Sequence, residues 1–506
     1  MPGNRDISIA RKYHNATKHS YASLRTNPHT LDWDNKPLLF KIYPTLEVMR
    51  LPREARQTGV SALSAVGSTG VKNPAPLDLE TLAQLLFLSA GITKTKKYPG
   101  GETFFRAAAC TGALYEFELY IVSGDLPDLP AGVYHFGVAE FGLRQLRKGD
   151  FRRVLAEATA DHKPVAEAPV TIICTGTYWR NAWKYQARTY RHFGWDNGTI
   201  LANMLAVSAA LGQRAQLITG FVDDSVNRSL DLDIQREVAF SMVPIGARAA
   251  PGASPPEVSP LSLPLLALSN TEVDYPLMRE IHDASSLTSP DEVRAYRSAA
   301  VARLEAETKA KLLALPKIDD PQLPLDSIEE VILRRGSTRR FAQIPITLDQ
   351  LSKVLDRATR GIPADFVQVA GAQLNDLYLI VNSVEGLANG SYFYHREQHA
   401  LELLRHGNFR KVSGYLGLEQ QLPADASVNI FFLAELQRIL EQYGNRGYRA
   451  AQLEAGILGG KLYLAAYAQR LGASGLTFYD DDVVQFFSPH AQGKSAIFLV
   501  ALGKSV

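Results

Sequence analysis

The chain has 506 residues, more than one hydrophobic core usually organises, and its 46% hydrophobic and 21% charged fractions are those of an ordinary globular protein. A net charge of +2 gives no bulk field to recruit nucleic acid or an anionic membrane. The two cysteines, Cys110 and Cys174, exclude a disulfide scaffold and argue against a cysteine-rich zinc site, and the N-terminus has no apolar stretch to act as a signal peptide, so a cytoplasmic location is expected.

Residues 1 to about 75 are polar, aromatic and without periodicity, an arm expected to wrap the core. Asp78 to Ala90 places Leu79, Leu82, Leu85 and Leu86 at helical spacing. Leu114 to Val122 and Ala168 to Cys174 read as strands, Thr199 to Leu211 as a helix apolar on several sides, and Ala239 to Ile245 as a closing strand. The prolines between Ala250 and Pro264 predict an extended linker, and the apolar run Leu261 to Leu268 is too short to span a bilayer. Ser289-Pro290-Asp291-Glu292 has the pattern of an N-cap, a first-turn proline and first-turn acids, opening a connecting helix to about Leu315. The earlier order then returns: helix Leu348 to Ala358, strands near Leu377 and Asn429, helix Leu453 to Arg470 and strand Ala496 to Leu502. Strands interspersed with helices predict a mixed α/β or α+β unit.

That return is a duplication. Gly112-Ala113-Leu114 leading into Leu119-Tyr120-Ile121-Val122 recurs as Gly371-Ala372-Gln373 leading into Leu377-Tyr378-Leu379-Ile380. Leu146-Arg147-Lys148-Gly149-Asp150-Phe151-Arg152 recurs as Leu404-Arg405-His406-Gly407-Asn408-Phe409-Arg410, and Tyr190-Arg191 recurs as Tyr448-Arg449. The offset stays near ~258 residues, so a domain-sized unit occurs twice and the copies can pack as a covalent pseudo-dimer. The expected divisions are 1–249 with the N-terminal arm, a linker and connecting helix over 250–325, and 326–506.

No P-loop, post-strand GxGxxG, HExxH or GxSxG is present. Gly456-Ile457-Leu458-Gly459-Gly460-Lys461 sits inside an apolar helix with Leu462 in place of Ser or Thr, which predicts close helix packing rather than a phosphate loop. Arg334-Arg335-Gly336-Ser337-Thr338-Arg339-Arg340-Phe341 is the sharper segment, because spaced guanidiniums with hydroxyls between them suit a phosphate. A solvated basic stretch is the plainer alternative. Asp223-Asp224 and Asp480-Asp481-Asp482 stand at strand-to-helix turns, where helix capping is expected rather than metal binding; no metal site is assigned.

The stretch R-R-x-S-x-R-x-F resembles the opening motif of the flavin-dependent nitroreductase superfamily. With Tyr13-His14, Arg106 to Tyr115, Lys184-Tyr185, Tyr190-Arg191 and Gly220-Phe221-Val222-Asp223-Asp224, the chain resembles the SagB-type dehydrogenases, relatives of the azoline oxidases. The resemblance implies a nitroreductase-like α+β sandwich that binds FMN in clefts between two units, with the arginine motif from one unit and the loop before the first long strand from the other.

Carried onto this chain, the resemblance implies two unequal clefts. Cleft one would join Arg335, Ser337 and Arg339 to Cys110-Thr111-Gly112-Ala113-Leu114, with Gly475-Leu476 at the flavin ring, Lys504 at the phosphate end and Asp196 facing the pyrimidine end or serving as a helix N-cap. Cleft two would join Ser68 to Lys72, which lacks the arginines, to Val369-Ala370-Gly371-Ala372-Gln373, which lacks hydroxyls, so one FMN per chain is expected. Lys184 and Tyr185 resemble the catalytic pair of the azoline oxidases, with the ammonium expected to lower the phenol's pKa; their counterparts are Gln442 and Tyr443. The family's Pro-Ser is Ala109-Cys110 here, and Cys110 is expected to be an inert thiol. The implied activity is an FMN-dependent two-electron oxidation or reduction of a small or peptide-derived substrate. A flavin-free scaffold for a protein or peptide partner, or a flavin-storage protein, are the competing readings.

Overall fold

The computed structural model describes residues 3–26, 28–53, 56–99, 101–252, 254, 256–299, 310–318, 320, 323–367 and 373–506. Each copy of the repeat builds one large antiparallel sheet. The first has six strands in the order Met49–Arg50, Gly142–Lys148, Gly132–Gly137, Phe117–Ser123, Val170–Thr177 and Glu237–Ile245. The second has seven, in the order Gly472–Leu476, Ser495–Gly503, Val428–Ala434, Asn375–Val381, Gly390–His395, Ala400–His406 and Leu312–Ala314. Register shifts fall between Val133 and Tyr134 and again between Ser391 and Tyr392; another pair lies at Cys174/Thr175 and Phe432/Leu433. Bulges at matching places belong to the repeated unit rather than to local accident.

Two long helices, Thr189–Ala210 and Arg446–Ala468, hold the halves together. Both are buried almost throughout, because each lies between its own sheet and the other helix. They meet at glycines: a Cβ on Gly198 would stand 2.4 Å from the Gly456 carbonyl carbon, and one on Gly456 2.4 Å from Gly194 O. The glycines of the Gly456-to-Lys461 segment therefore serve close helix packing, as their sequence context predicts. Lys461 donates to Gly361 O at 2.8 Å, and burial brings its ammonium down to about 7.

Polar contacts repeat across the same junction. Arg188 and Arg191 of the first copy pair with Asp480 of the second, at 3.2 and 2.6 Å. Arg446 and Arg449 of the second pair with Asp223 of the first, both at 2.8 Å. Arg191 also donates to His14 O and Thr17 Oγ1, as Arg449 does to His282 O and Ser285 Oγ. Helix Pro276–Ala284 thus stands to the second copy as Ser8–Ala16 stands to the first, and the two helices pack on each other. The arrangement is an intramolecular pseudo-dimer with isologous contacts.

The expected elements form with shifted ends, and several details differ. The Thr189–Ala210 helix starts ten residues before Thr199, so Asp196 lies inside it and caps nothing. The helix at Ser289 forms with its side-chain cap but is Pro290–Ser298, and Leu312–Ala314 pairs as an edge strand with Ala400–Glu402, the open sheet edge supplying backbone partners; residues 300–309 lie outside the described residues. The arm contains short helices rather than irregular chain alone, and Asn4 and Ala10 bond to Tyr443 O and Asn445 Oδ1 of the second copy. Asp223 and Asp480 are not side-chain caps; each leads a helix but turns to arginines of the opposite copy.

Candidate functional site

Helix Ile328–Arg334 opens on a capping box between Ser327 and Glu330 and delivers Arg335 as its C-cap. Arg335 reaches into the first copy, donating from Nε to Ala107 O and from a terminal nitrogen to Arg106 O, both at 3.0 Å. Thr338 N donates to Ala473 O at 2.9 Å and Ala342 N to Lys504 O at 2.9 Å, which sets the motif beside strand Gly472–Leu476 and the chain's last residues. The Tyr463 phenol ties Ser337 Oγ at 3.3 Å to the backbone N–H of Gly475. Arg339 is exposed and Lys504 half-buried, and among the described residues neither makes a side-chain hydrogen bond or ion pair.

The Cys110–Leu114 loop lies on the other wall. Gly112, Ala113 and Tyr115 all have positive φ, near +63°, +53° and +51°, so the chain turns tightly before strand Phe117–Ser123. Asp196, from the second turn of the long helix, accepts from Thr111 N at 2.9 Å and from Thr111 Oγ1 at 2.9 Å. Thr199 and Asn203 hold Ala109 O and Ala107 O from the same helix. Leu114 turns into the core, and Leu476 stays half-buried.

Tyr185 closes over this loop: a Cβ on Gly112 would stand 2.8 Å from its hydroxyl. Among the described residues that hydroxyl makes no hydrogen bond. Lys184 is exposed, its ammonium 5.4 Å from the Tyr185 ring centroid. The expected lowering of the phenol is overturned. Burial raises the Tyr185 pKa, and the charges of Asp196, Cys110 and Glu116 raise it further, while Arg339 opposes them. The Cys110 thiol is likewise pushed well above its ordinary value, by burial and then by Asp196 and Glu116, so it is a thiol and not a nucleophile.

The opposite side differs at each matching position. Tyr443 is buried and its hydroxyl is bound to Phe366 O at 3.1 Å, while Gln442 donates to Ala299 O. The edge formed by Leu217 to Gly220 is covered by Pro363 to Asp365. Leu217 N donates to Pro363 O at 2.8 Å, and the Asp365 carboxyl accepts from Thr219 N and Gly220 N at 2.9 and 2.7 Å. Tyr296 OH adds a bond to Thr219 Oγ1 at 3.0 Å. Helix Ala62–Val66 faces Ile328–Arg334, with Ser61 bridged to Ser327, so Ser68 to Lys72 follows the one as the arginine motif follows the other. Of the loop expected in cleft two, only Gln373 is among the described residues.

Across the junction, Arg335 bonds to Arg106 O and Ala107 O just ahead of the Cys110 loop and Arg339 acts electrostatically on Tyr185, while Ser337, Gly475 and Lys504 are joined to residues of their own copy. Two neighbours had no signal in the sequence: Tyr463, an aromatic on a helix already rich in apolar residues, and Glu116, one acid at the start of a strand.

Residues 332–504 match the family model described as the Nitroreductase family. That match spans about a third of the chain and falls on its second copy. A protein of Methanocaldococcus jannaschii that bears a nitroreductase name is 28% identical over 181 residues, covering 34% of this chain and 86% of the relative. The crystal structure of an Anabaena variabilis protein, also bearing a nitroreductase name, is 26% identical and aligns over 98% of this chain and 99% of its own, with a TM-score of 0.78. The whole nitroreductase-like α+β fold, both copies included, therefore has a solved counterpart. Among the described residues no helix is long and apolar enough to cross a membrane.

Proposed function

We propose that this chain is an FMN-dependent oxidoreductase with one working cleft, formed by the second copy's arginine motif and the first copy's Cys110–Leu114 loop. The observation that carries this reading is the difference between Tyr185 and Tyr443: among the described residues one hydroxyl is unbonded over a tight glycine turn, and its counterpart is tied to Phe366 O. The residues fit the cofactor. Among the described residues Arg339 and Lys504 are cations without a hydrogen-bond or ion-pair partner, and Arg339 follows Ser337 by two residues, the chemistry a phosphate requires. The absence of a side chain on Gly112 lets Tyr185 pack directly on the loop, where a Cβ would collide with its hydroxyl.

In this reading Arg335 fixes the two walls to each other, and Arg339, Ser337 and Lys504 hold the phosphate. Thr111, Gly112, Ala113, Gly475 and Leu476 frame the ring. When bound, the flavin supplies a two-electron acceptor or donor at N5. Tyr185 stays a neutral phenol through the physiological range because its pKa is raised, so it holds a proton at its hydroxyl, to give to or exchange with substrate, and does not act as a standing base. Lys184, at the exposed rim, favours an anionic or electron-rich substrate. The finer reading is a SagB-type dehydrogenation of a peptide-derived or other small heterocycle, in the cytoplasm, and it rests on the motif resemblance. Pro363 to Asp365 and Tyr296 fill the second cleft.

Released flavin, quantified per chain by visible absorption, tests this. One FMN per chain is expected. Two would mean that Pro363 to Asp365 yields to a second flavin, and none after incubation with excess FMN would favour the partner-binding scaffold.

A further inference from the structure

Two carboxyl groups meet beneath the Cys110–Leu114 loop. Cys110 Sγ lies 3.3 Å from Glu116 Oε2 and 3.4 Å from Asp196 Oδ2, and the three atoms fall within 4.8 Å of one another. Glu116 is 0% exposed and Asp196 5%. Among the described residues neither forms an ion pair. Arg180, from helix Tyr178–Tyr185, is bound to Glu118 and to Tyr115 O, both at 2.7 Å. Arg106, at the end of strand Gly101–Arg106, is bound to Leu39 O and Phe117 O. Tyr115 and Tyr185, the other titratable neighbours, are phenols whose pKa values are raised by burial. Among the described residues one Glu116 oxygen, Oε1, has no hydrogen-bond partner.

The second copy meets the same need with donors. Glu454, the counterpart of Asp196 on the paired helix, accepts from Leu374 N, Asn375 N and Asn375 Nδ2 at 2.8 to 3.0 Å. In the first copy Asp196 also has donors, Thr111 N and Thr111 Oγ1, but a second acid, Glu116, stands within 4.8 Å of it. Two bare carboxylates in contact in a buried site are strongly unfavourable, whereas one proton between them makes a charge-assisted hydrogen bond.

We propose that Glu116 carries a proton and donates it to Asp196, latching the Cys110–Leu114 loop to the Thr189–Ala210 helix, so that Glu116 is a positioning residue for the cleft. The proton leaves Asp196 a single anion, which then also holds Thr111 N and Thr111 Oγ1. Removing it sets two anions against each other with Thr111 as the remaining anchor, and the loop lifts. Burial raises both acids, and the Glu116 charge raises Asp196 further. An acid whose folded value lies above its unfolded one binds an extra proton on folding, so the latch is whole below the folded value and fails as pH rises through it.

The proton can be read without cofactor; only the affinity arm rests on the flavin reading. Infrared spectra of the full chain, titrated from mildly acidic to alkaline pH, should show the carbonyl stretch of a neutral carboxylic acid at neutral pH. That band should vanish as pH rises and be absent in Glu116→Gln. FMN affinity should weaken about tenfold per pH unit above the midpoint in the wild type and stay flat in Glu116→Gln, whose amide donates at every pH. Asp196→Asn, which also removes the acid pair, serves if Glu116→Gln does not fold. A wild-type spectrum without the neutral-acid band at neutral pH, or a band that survives both substitutions, overturns the proposal. A Glu116-dependent band in a chain that never binds FMN leaves the latch standing and overturns the flavin reading.

Discussion

Arg191 of the first copy holds Asp480 of the second at 2.6 Å, and the mirrored pair, Arg449 and Asp223, closes at 2.8 Å. Both pairs are buried, and in each the aspartate also takes a second arginine, Arg188 or Arg446. A duplicated chain with identical contacts in both directions has a closed interface, which explains why the copies need no second subunit to cover the long helices.

Asp480→Ala should destabilise the chain by about 3–5 kcal/mol in urea denaturation, because it leaves two arginines buried and unpaired. Arg188 and Arg191 hold the Asp480 pKa well below the usual carboxylate range against the effect of burial. A depressed acid contributes stability that is present above its unfolded value and lost as pH falls toward its folded one. Wild-type stability should therefore drop on the acid side, and this part of the drop should be missing in Asp480→Ala.

Gly198→Ala should separate the long helices, since its Cβ would stand 2.4 Å from the Gly456 backbone. Overpacking of this kind costs about 1–3 kcal/mol or more where backbone must move. Gly3→Ala, with nothing within 4 Å of its Cβ, is the control and should leave the denaturation midpoint unchanged.

Arg339→Ala should leave stability within about 0.5 kcal/mol, because the side chain is exposed and, among the described residues, makes no hydrogen bond or ion pair. FMN affinity, measured by fluorescence titration, should fall about 10- to 100-fold for the loss of a charge-assisted hydrogen bond. Arg335→Ala should lower affinity and stability together, since it also loses the bonds to Arg106 O and Ala107 O.

Tyr185→Phe should retain flavin and lose turnover by about 10²–10⁴-fold, the range for a positioned proton donor. Lys184→Ala should cost less, given the 5.4 Å separation from the ring. Tyr443→Phe should leave turnover intact and cost about 0.5–1.5 kcal/mol of stability for its bond to Phe366 O. Steady-state kinetics on the three variants, with flavin content measured on the same samples, separates these outcomes.

The duplication, the α+β class and the two long helices were legible in the chain because each rests on local pattern: apolar spacing, strand composition and residues recurring at a fixed offset. The arginine motif was legible for the same reason, its residues being contiguous. The partnership of Asp480 with Arg191 was not, because a carboxylate leading a helix reads as a cap until the residue facing it is known. Tyr185 taught the same lesson in electrostatics: Lys184 is adjacent in sequence, yet burial and three acidic groups from elsewhere in the fold set the phenol's pKa. Glu116 and Tyr463 gave no signal at all, since a lone acid and a helical aromatic acquire a role only from their neighbours in space. The sequence by itself determined which elements form and that they form twice. Tertiary structure alone decided that Asp365 and Tyr296 bind Thr219 on the Leu217-to-Gly220 edge, because long-range packing rather than local periodicity fixes where they come to lie.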